Sequence, residues 1–382
     1  VVARVPVDEL ADGPVYEKPT VEPAWLAERR TWTADAIAEP TDLDEALVML
    51  VGSPTIASKR WAYRQYDQQV GLNTLVVPGS DAAVLRVKGT RRALAVSTDG
   101  NGRHVLLDPR RGAAMAVCEA ARNVSCAGAR PAGLTDCLNF GSPERPEILW
   151  QFAEAIDGIA EACRALDIPV VGGNVSFYNE TSGQAVLPTP VVGVVGVIDD
   201  AERIGTQSFR AEGHRIALLG PDDVSLGGSE YAWLRAGVVA GTLAALDLEM
   251  ERRVQAAVQS AIAAGLVASA HDCAEGGVAV ALAESSVTGR DHQVGCEVTF
   301  PASARPDVVL FGEGPSRIVV SVEGAQAREF EALMAESDIP WRWIGSTGGE
   351  RIVMRVGDRT VVNADVNRIE HAWRTGFERH LA

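Results

Sequence analysis

Between residues 148 and 166 apolar side chains recur at intervals of three and four, as Ile148, Phe152, Ile156, Ile159, Cys163 and Leu166. A period near 3.6 residues puts all of them on one stripe of a helix, and such a stripe has to be covered by something apolar. The cover lies close by in sequence. DIPVVGG follows the stripe directly and TPVVGVVGVID comes soon after. Both are β-branched runs, and the second is continuous enough to predict a strand buried on both faces. A helix flanked by strands of this kind belongs to an α/β or α+β chain.

The rest of the chain repeats the texture. Residues 73–98 read as three short strands broken by PGSD and KGTR. Asp108 and Pro109 supply an N-cap and first-turn proline for a helix whose stripe is Met115, Cys118, Ala121 and Val124, ending near Gly128. A second unit begins near His214. RIALLG reads as a strand, ERRVQAAVQSAIAAG as a helix with Val254, Val258 and Ile262 inward, VASAHD as a strand and GGVAVALAES as a helix. Further strands are predicted at DVVLF, RIVVSV and RIVMRV. No short-period repeat is present.

Residues 1–44 carry Pro6, Pro14, Pro19, Pro23 and Pro40 among many acidic residues and read as an extended linker, before Thr41 or Asp42 caps a helix in TDLDEALVMLV. The expected domains are 45–205 and 206–382. The opening VVARVPVDEL lacks an initiator Met, so the expectation is a chain that starts inside something longer.

A formal net charge of −16 argues against a nucleic-acid binder, which needs surplus Lys and Arg on one face. No apolar run is long enough for a membrane span and no signal-peptide pattern opens the chain, so a cytoplasmic location is expected. The six cysteines never form CxxC, which predicts buried thiols rather than a zinc site or a disulfide framework.

Polar residues gather at the ends of apolar runs in STDGNGR (97–103), TDCLNFGSPERPEI (135–148), VGGNVSFYNET (171–181) and HDCAEGG (271–277). Ligands of open sheets collect at strand ends. Asp99, Asp136 and Asn174 are oxygen ligands of the kind a nucleotide-bound Mg²⁺ accepts, and Gly172 with Gly173 would let backbone amides approach a phosphate. Each element has a plainer reading: a tight turn for the glycine pair, a helix cap for Asp272, a structural role for His271, and turn glycines at 312 and 314 with Arg317 within reach of an anion. No Walker A or GxGxxG pattern stands at a strand end.

TDCLNFGSPERPEILWQF, GGNVSFYNET, PTPVVGVVG, LGGSEY, DCAEGGVAVALAES and FGEGPSR, with SKRWAYRQYDQQVG and STDGNGRH upstream, resemble in order and spacing the C-terminal half of the phosphoribosylformylglycinamidine synthase family, small type, within the aminoimidazole-ribonucleotide synthetase superfamily. The resemblance implies a β-rich half-barrel domain with packed helices followed by an α/β domain. It also implies an ATP-dependent ligase of purine biosynthesis. ATP phosphorylates the amide oxygen of formylglycinamide ribonucleotide, and ammonia displaces phosphate from the iminophosphate. Carried over by position, Asp136 and Gly173 contact ATP, Asn174 binds Mg²⁺ and Ser176 contacts the ribonucleotide. No catalytic residue falls on this chain, because the family's catalytic histidine and most of its metal carboxylates lie in the N-terminal half. The implied partners are that N-terminal half, a glutaminase subunit and a small accessory subunit, with a homodimer through the half-barrel as a further possibility. The alternative is a catalytically incomplete scaffold that pairs with the other half and docks partners.

Overall fold

The computed structural model describes residues 1–13, 15–289 and 293–381. In chain order the helices are α1 (Val7–Ala11), α2 (Trp25–Arg30), α3 (Leu43–Val51), α4 (Arg60–Tyr63), α5 (Gly102–Leu107), α6 (Pro109–Cys126), α7 (Pro146–Leu166), α8 (Glu230–Ala236), α9 (Leu248–Ala263), α10 (Gly277–Val287), α11 (Pro306–Phe311), α12 (Ala327–Glu336) and α13 (Val366–Arg379). The strands are β1 (Thr74–Val76), β2 (Ala83–Arg86), β3 (Ala93–Asp99), β4 (Arg130–Asn139), β5 (Val170–Ser176), β6 (Glu180–Thr181), β7 (Gln184–Ala185), β8 (Thr189–Ile198), β9 (Arg215–Leu219), β10 (Ser269–Asp272), β11 (Cys296–Phe300), β12 (Ile318–Val322), β13 (Trp341–Thr347), β14 (Arg351–Val356) and β15 (Arg359–Asp365).

The first sheet is six-stranded in the order β1-β2-β3-β8-β4-β5. Its core lies under α6 and α7, where Val117, Ala121, Val124, Ala155, Ile159 and Ala162 meet Leu134, Leu138, Val192 and Val194. The caps follow the local chemistry. Asp108 accepts a hydrogen bond from the Arg111 amide at 3.0 Å and Pro109 opens α6. The two helices approach so closely at Gly158 that a Cβ there would strike the Arg110 carbonyl.

The expected half-barrel is not what forms. β1 and β5 stand at opposite margins of an open sheet, and closure would need the two end strands to pair. The α/β character is retained, as a mixed α/β fold with two sheet-bearing domains. TPVVGVVGVID, predicted to be covered on both faces, is covered on one. Val192, Val194 and Ile198 are buried beneath the helices, whereas Val195 is exposed on the other face beside Leu94 and Val96 of β3. The Val-rich alternation is apolar on both sides, so periodicity does not separate one-sided from two-sided burial.

The second sheet has seven strands in the order β10-β12-β9-β13-β11-β14-β15. Neighbours are antiparallel apart from β11 and β14. It has a core on each face. Val254, Val258, Ile262, Phe330 and Met334 from α9 and α12 cover one side; α3, α10, α11 and α13 cover the other, through Leu47, Leu50, Leu282, Phe311 and Ile369. DVVLF, read as a strand, lies in α11. Pro306 at its first turn presets the helical φ, and Arg305 just before it bonds Asp307 and the Ala34 and Ile37 carbonyls. The N-terminal segment carries α2, whose Leu26 is buried and whose Arg29 donates to the Val239 carbonyl at 2.9 Å. Among the described residues, no helix is long and apolar enough to cross a membrane.

Candidate functional site

The polar stretches of the sequence separate into two places. TDCLNFG and GGNVSFYN run along β4 and β5, which pair in parallel with Asp136 opposite Gly173, Cys137 opposite Asn174 and Asn139 opposite Ser176. Gly172 and Gly173 are therefore inside a strand, and neither has a positive φ. The expected turn is absent because β4 supplies ladder partners straight through the glycines.

Alternation then sorts the side chains. Asp136 and Gly173 share the helix-covered face with buried Leu134 and Leu138, and a Cβ on Gly173 would come within 2.7 Å of the Asp136 Cγ. Glycine is thus required here by close approach. Asn174 and Ser176 fall on the uncovered face beside Cys137 and Asn139. Burial raises the Asp136 carboxyl above the usual range. Asn139 Nδ2 donates to the Thr189 carbonyl at 3.1 Å, and Asn179 Nδ2 to the Ser176 carbonyl at 2.7 Å, so the strand ends are tied while Asn174 stays exposed.

STDGNGR, HDCAEGG and FGEGPSR meet elsewhere, in the cleft between the two domains. Asn101 caps α5 and its Nδ2 donates to Glu275 at 3.2 Å. His104 Nε2 lies 3.2 Å from Glu313, whose other oxygen accepts from the Glu230 and Gly276 amides at 2.8 and 2.9 Å. Deeper in, the Arg122 guanidinium of α6 spans Asp272 of β10 and Glu251 of α9, with both Glu251 oxygens 2.9 Å from Nη1. Glu251 also accepts from Gln255 at 2.8 Å and Ser316 at 2.6 Å. Arg122 is 2% exposed, Glu251 0% and Asp272 3%, so this ion triad is out of water.

The acidic groups around it respond to burial. Asp99 is pushed up to about 7, chiefly by desolvation, against the pull of an Asn123 hydrogen bond and with Glu275 and Asp272 adding to the rise. Glu119 and Glu275 also rise, each through burial first and neighbouring carboxylates second. A cavity of about 10 Å³ remains between His104, Glu119, Arg122 and Glu275, room for a single water. Among the described residues, no group of three His, Cys, Asp or Glu side chains is arranged to hold a metal ion.

One sequence reading changes here. Asp272 is not a helix cap, since Gly276 precedes α10 and Asp272 ends β10 on Arg122. His271 has the structural role expected of it: Nδ1 is 2.8 Å from Asp81 and Nε2 is 3.1 Å from Glu284. Burial disfavours its protonated form, but the two carboxylates outweigh that and hold the ring well above its usual pKa. Sequence reasoning missed Arg122, Glu251, Asp81 and Glu313. The available signal was an arginine one turn beyond Cys118 on the buried side of α6.

Residues 79–198 match the N-terminal domain of AIR synthase related protein, and residues 211–357 match its C-terminal domain. The chain is 49% identical to phosphoribosylformylglycinamidine synthase subunit PurL of Moorella thermoacetica over 375 residues, 98% of this chain and 51% of that protein. It therefore spans about half the length of the curated relatives it matches. T. maritima PurL complexed with FGAR superposes with a TM-score of 0.70 over 87% of this chain and 54% of that one, at 19% identity. The same protein complexed with ADP gives 0.64 over 86% and 52%, at 18% identity. PurLQS from Thermotoga maritima gives 0.68 over 92% and 54%, at 16% identity. At these identities the structural likeness is one of fold.

Proposed function

The chain belongs to the AIR synthase related protein family, and on that premise we propose that it is one half of an ATP-dependent amidoligase. The reaction converts formylglycinamide ribonucleotide and glutamine-derived ammonia to the amidine. The relative named for this synthase, at 49% identity along nearly the whole chain, supports the assignment. A division near residue 205 belongs to this proposal, supported by the two matched segments, which leave 199–210 between them.

In this reading the β4–β5 margin is the chain's share of the site. Gly173 lets backbone approach the nucleotide, with Asp136 beside it. Asn174 and Ser176, both on the uncovered face, present an amide oxygen and a hydroxyl to what binds there. The observation carrying the proposal is the register that puts Asp136 opposite Gly173 and steps on to Asn174 and Ser176 within four residues of strand. The donor set fits a Mg²⁺ ion held jointly: Asn174 is a hard oxygen ligand on an exposed strand, and no carboxylate trio accompanies it among the described residues. Bound Mg²⁺ would neutralise charge on the transferring phosphoryl group. The chain's own part is to hold nucleotide and ribonucleotide side by side, so that amide oxygen meets γ-phosphorus and ammonia then expels phosphate.

The test reconstitutes the complete subunit with the glutaminase and the small accessory subunit. Asn174→Ala should raise the Mg²⁺ concentration needed for half-maximal rate, and Ser176→Ala should raise KM for the ribonucleotide. Unchanged kinetics in both variants would overturn the proposal. A scaffold reading has one observation in its favour, the interdomain cleft closed around Arg122 to about 10 Å³. It predicts full activity after both substitutions.

A further inference from the structure

We infer that a second cleft, bounded by α2, the start of α7 and residues 183–188, is a binding site for a nucleoside monophosphate. It has a volume of about 340 Å³ and shares no residue with the β4–β5 margin. That size falls within the range of small-ligand pockets, roughly 300–1,000 Å³.

Its walls divide the work. Trp25, Ile148 and Leu187 are apolar, and the Trp25 indole has Arg29 4.9 Å over one face, an arrangement suited to a flat heteroaromatic ring. Gln151 also lines the cleft. It is 7% exposed, yet its side-chain amide hydrogen-bonds to no described residue. Lining the cleft without a partner among the described residues, this amide offers a donor and an acceptor together, the complement of a nucleobase edge.

The anionic end is set by α7. This 21-residue helix begins after Arg145 with no side-chain cap but with Glu147 in its first turn, so its positive pole is partly met and Arg145 carries the anion contact. The half-exposed Arg145 guanidinium is held loosely, 3.8 Å from Glu180. Glu147, on the same wall, opposes further negative charge, and that favours one phosphate over a triphosphate.

The experiment uses the complete subunit containing this chain, in wild-type form and in an Asn174→Ala background that weakens Mg²⁺-dependent binding at the β4–β5 margin. AMP, GMP and UMP are titrated by calorimetry, with adenosine and inorganic phosphate as separate arms. At least one mononucleotide should bind saturably in both backgrounds and quench tryptophan emission, and Trp25→Phe should abolish the quenching. Gln151→Leu should weaken binding about 10-fold, and Arg145→Met should reduce the mononucleotide's affinity to that of its nucleoside. No mononucleotide binding, or binding lost in Asn174→Ala and kept in Gln151→Leu, would overturn the inference. If Gln151→Leu fails to fold, the exposed Arg145→Met decides, and unchanged affinity there overturns it equally.

Discussion

Replacing Arg122 with Met tests how far the two domains depend on one buried cation. The guanidinium gives Asp272 two hydrogen bonds and Glu251 a forked contact at 2.9 Å, all at side-chain exposures of 2% or less. Removing one partner of a buried ion pair costs about 3–5 kcal/mol, mostly because the remaining charge is stranded. Glu251 would keep donors in Gln255 and Ser316. Asp272 would keep none of comparable strength and would still face Asp81, so the expected loss is about 4 kcal/mol and falls mainly on Asp272.

The sign with pH follows from burial. Burial already raises the Asp272 carboxyl against the pull of Arg122, and without the guanidinium its folded pKa stands further above the unfolded value of about 4. A raised carboxyl supports folding while it is protonated and loses that support as pH climbs through the folded pKa. The deficit should therefore be small near pH 4.5 and full by pH 8. Urea titrations of wild type and Arg122→Met followed by circular dichroism at both pH values measure it. The triple variant Arg122→Met/Asp272→Asn/Glu251→Gln, which removes the stranded charges as well, should recover most of the loss at pH 8. A single variant within about 1 kcal/mol of wild type, or a triple variant no better than the single, would refute the reasoning.

Asp99→Asn removes a carboxyl whose folded pKa is about 7. Wild type should lose stability as pH rises from 4 through 7, so the variant's advantage should be absent near pH 4 and largest at pH 8 in parallel urea titrations. Gly158→Ala should cost about 1–3 kcal/mol, read as a lower urea midpoint, because the added methyl meets the Arg110 carbonyl where α6 and α7 touch. Among the six cysteines, Cys137 is the partly exposed one and the other five are buried, with Cys163 pushed up to about 11 and Cys273 to about 12 by burial. A thiol reagent at pH 8 should modify one site quickly in the native protein; two or more fast thiols would contradict this packing.

The parts of the fold legible in sequence were those with a strong period or a local cap. The stripes of α6 and α7, the Asp108-Pro109 entry and the breaks at PGSD and KGTR each report on residues within a few positions of one another. DVVLF misled because β-branched apolar runs of that length suit either element, and the deciding signal was Pro306 at its head. The openness of the first sheet was not legible either, since the pairing of end strands is a long-range matter that no local pattern reports. Of the proposed site, Asp136, Gly173, Asn174 and Ser176 come from family resemblance alone, and their common register appears once β4 and β5 are seen side by side. The interdomain charges were hidden for another reason: Arg122 and Asp272 are 150 residues apart, and each looks unremarkable among its own neighbours.

Helix α6 is at once the lid of the first sheet and the bridge to α9 and β10. That double duty restricts how such a protein can drift. A neutral replacement at 122, 251 or 272 taken alone passes through a stranded charge, so descendants should exchange these positions as a block or leave them untouched. Transplanting either domain into a distant homologue should fail for the same reason unless the matching surface travels with it.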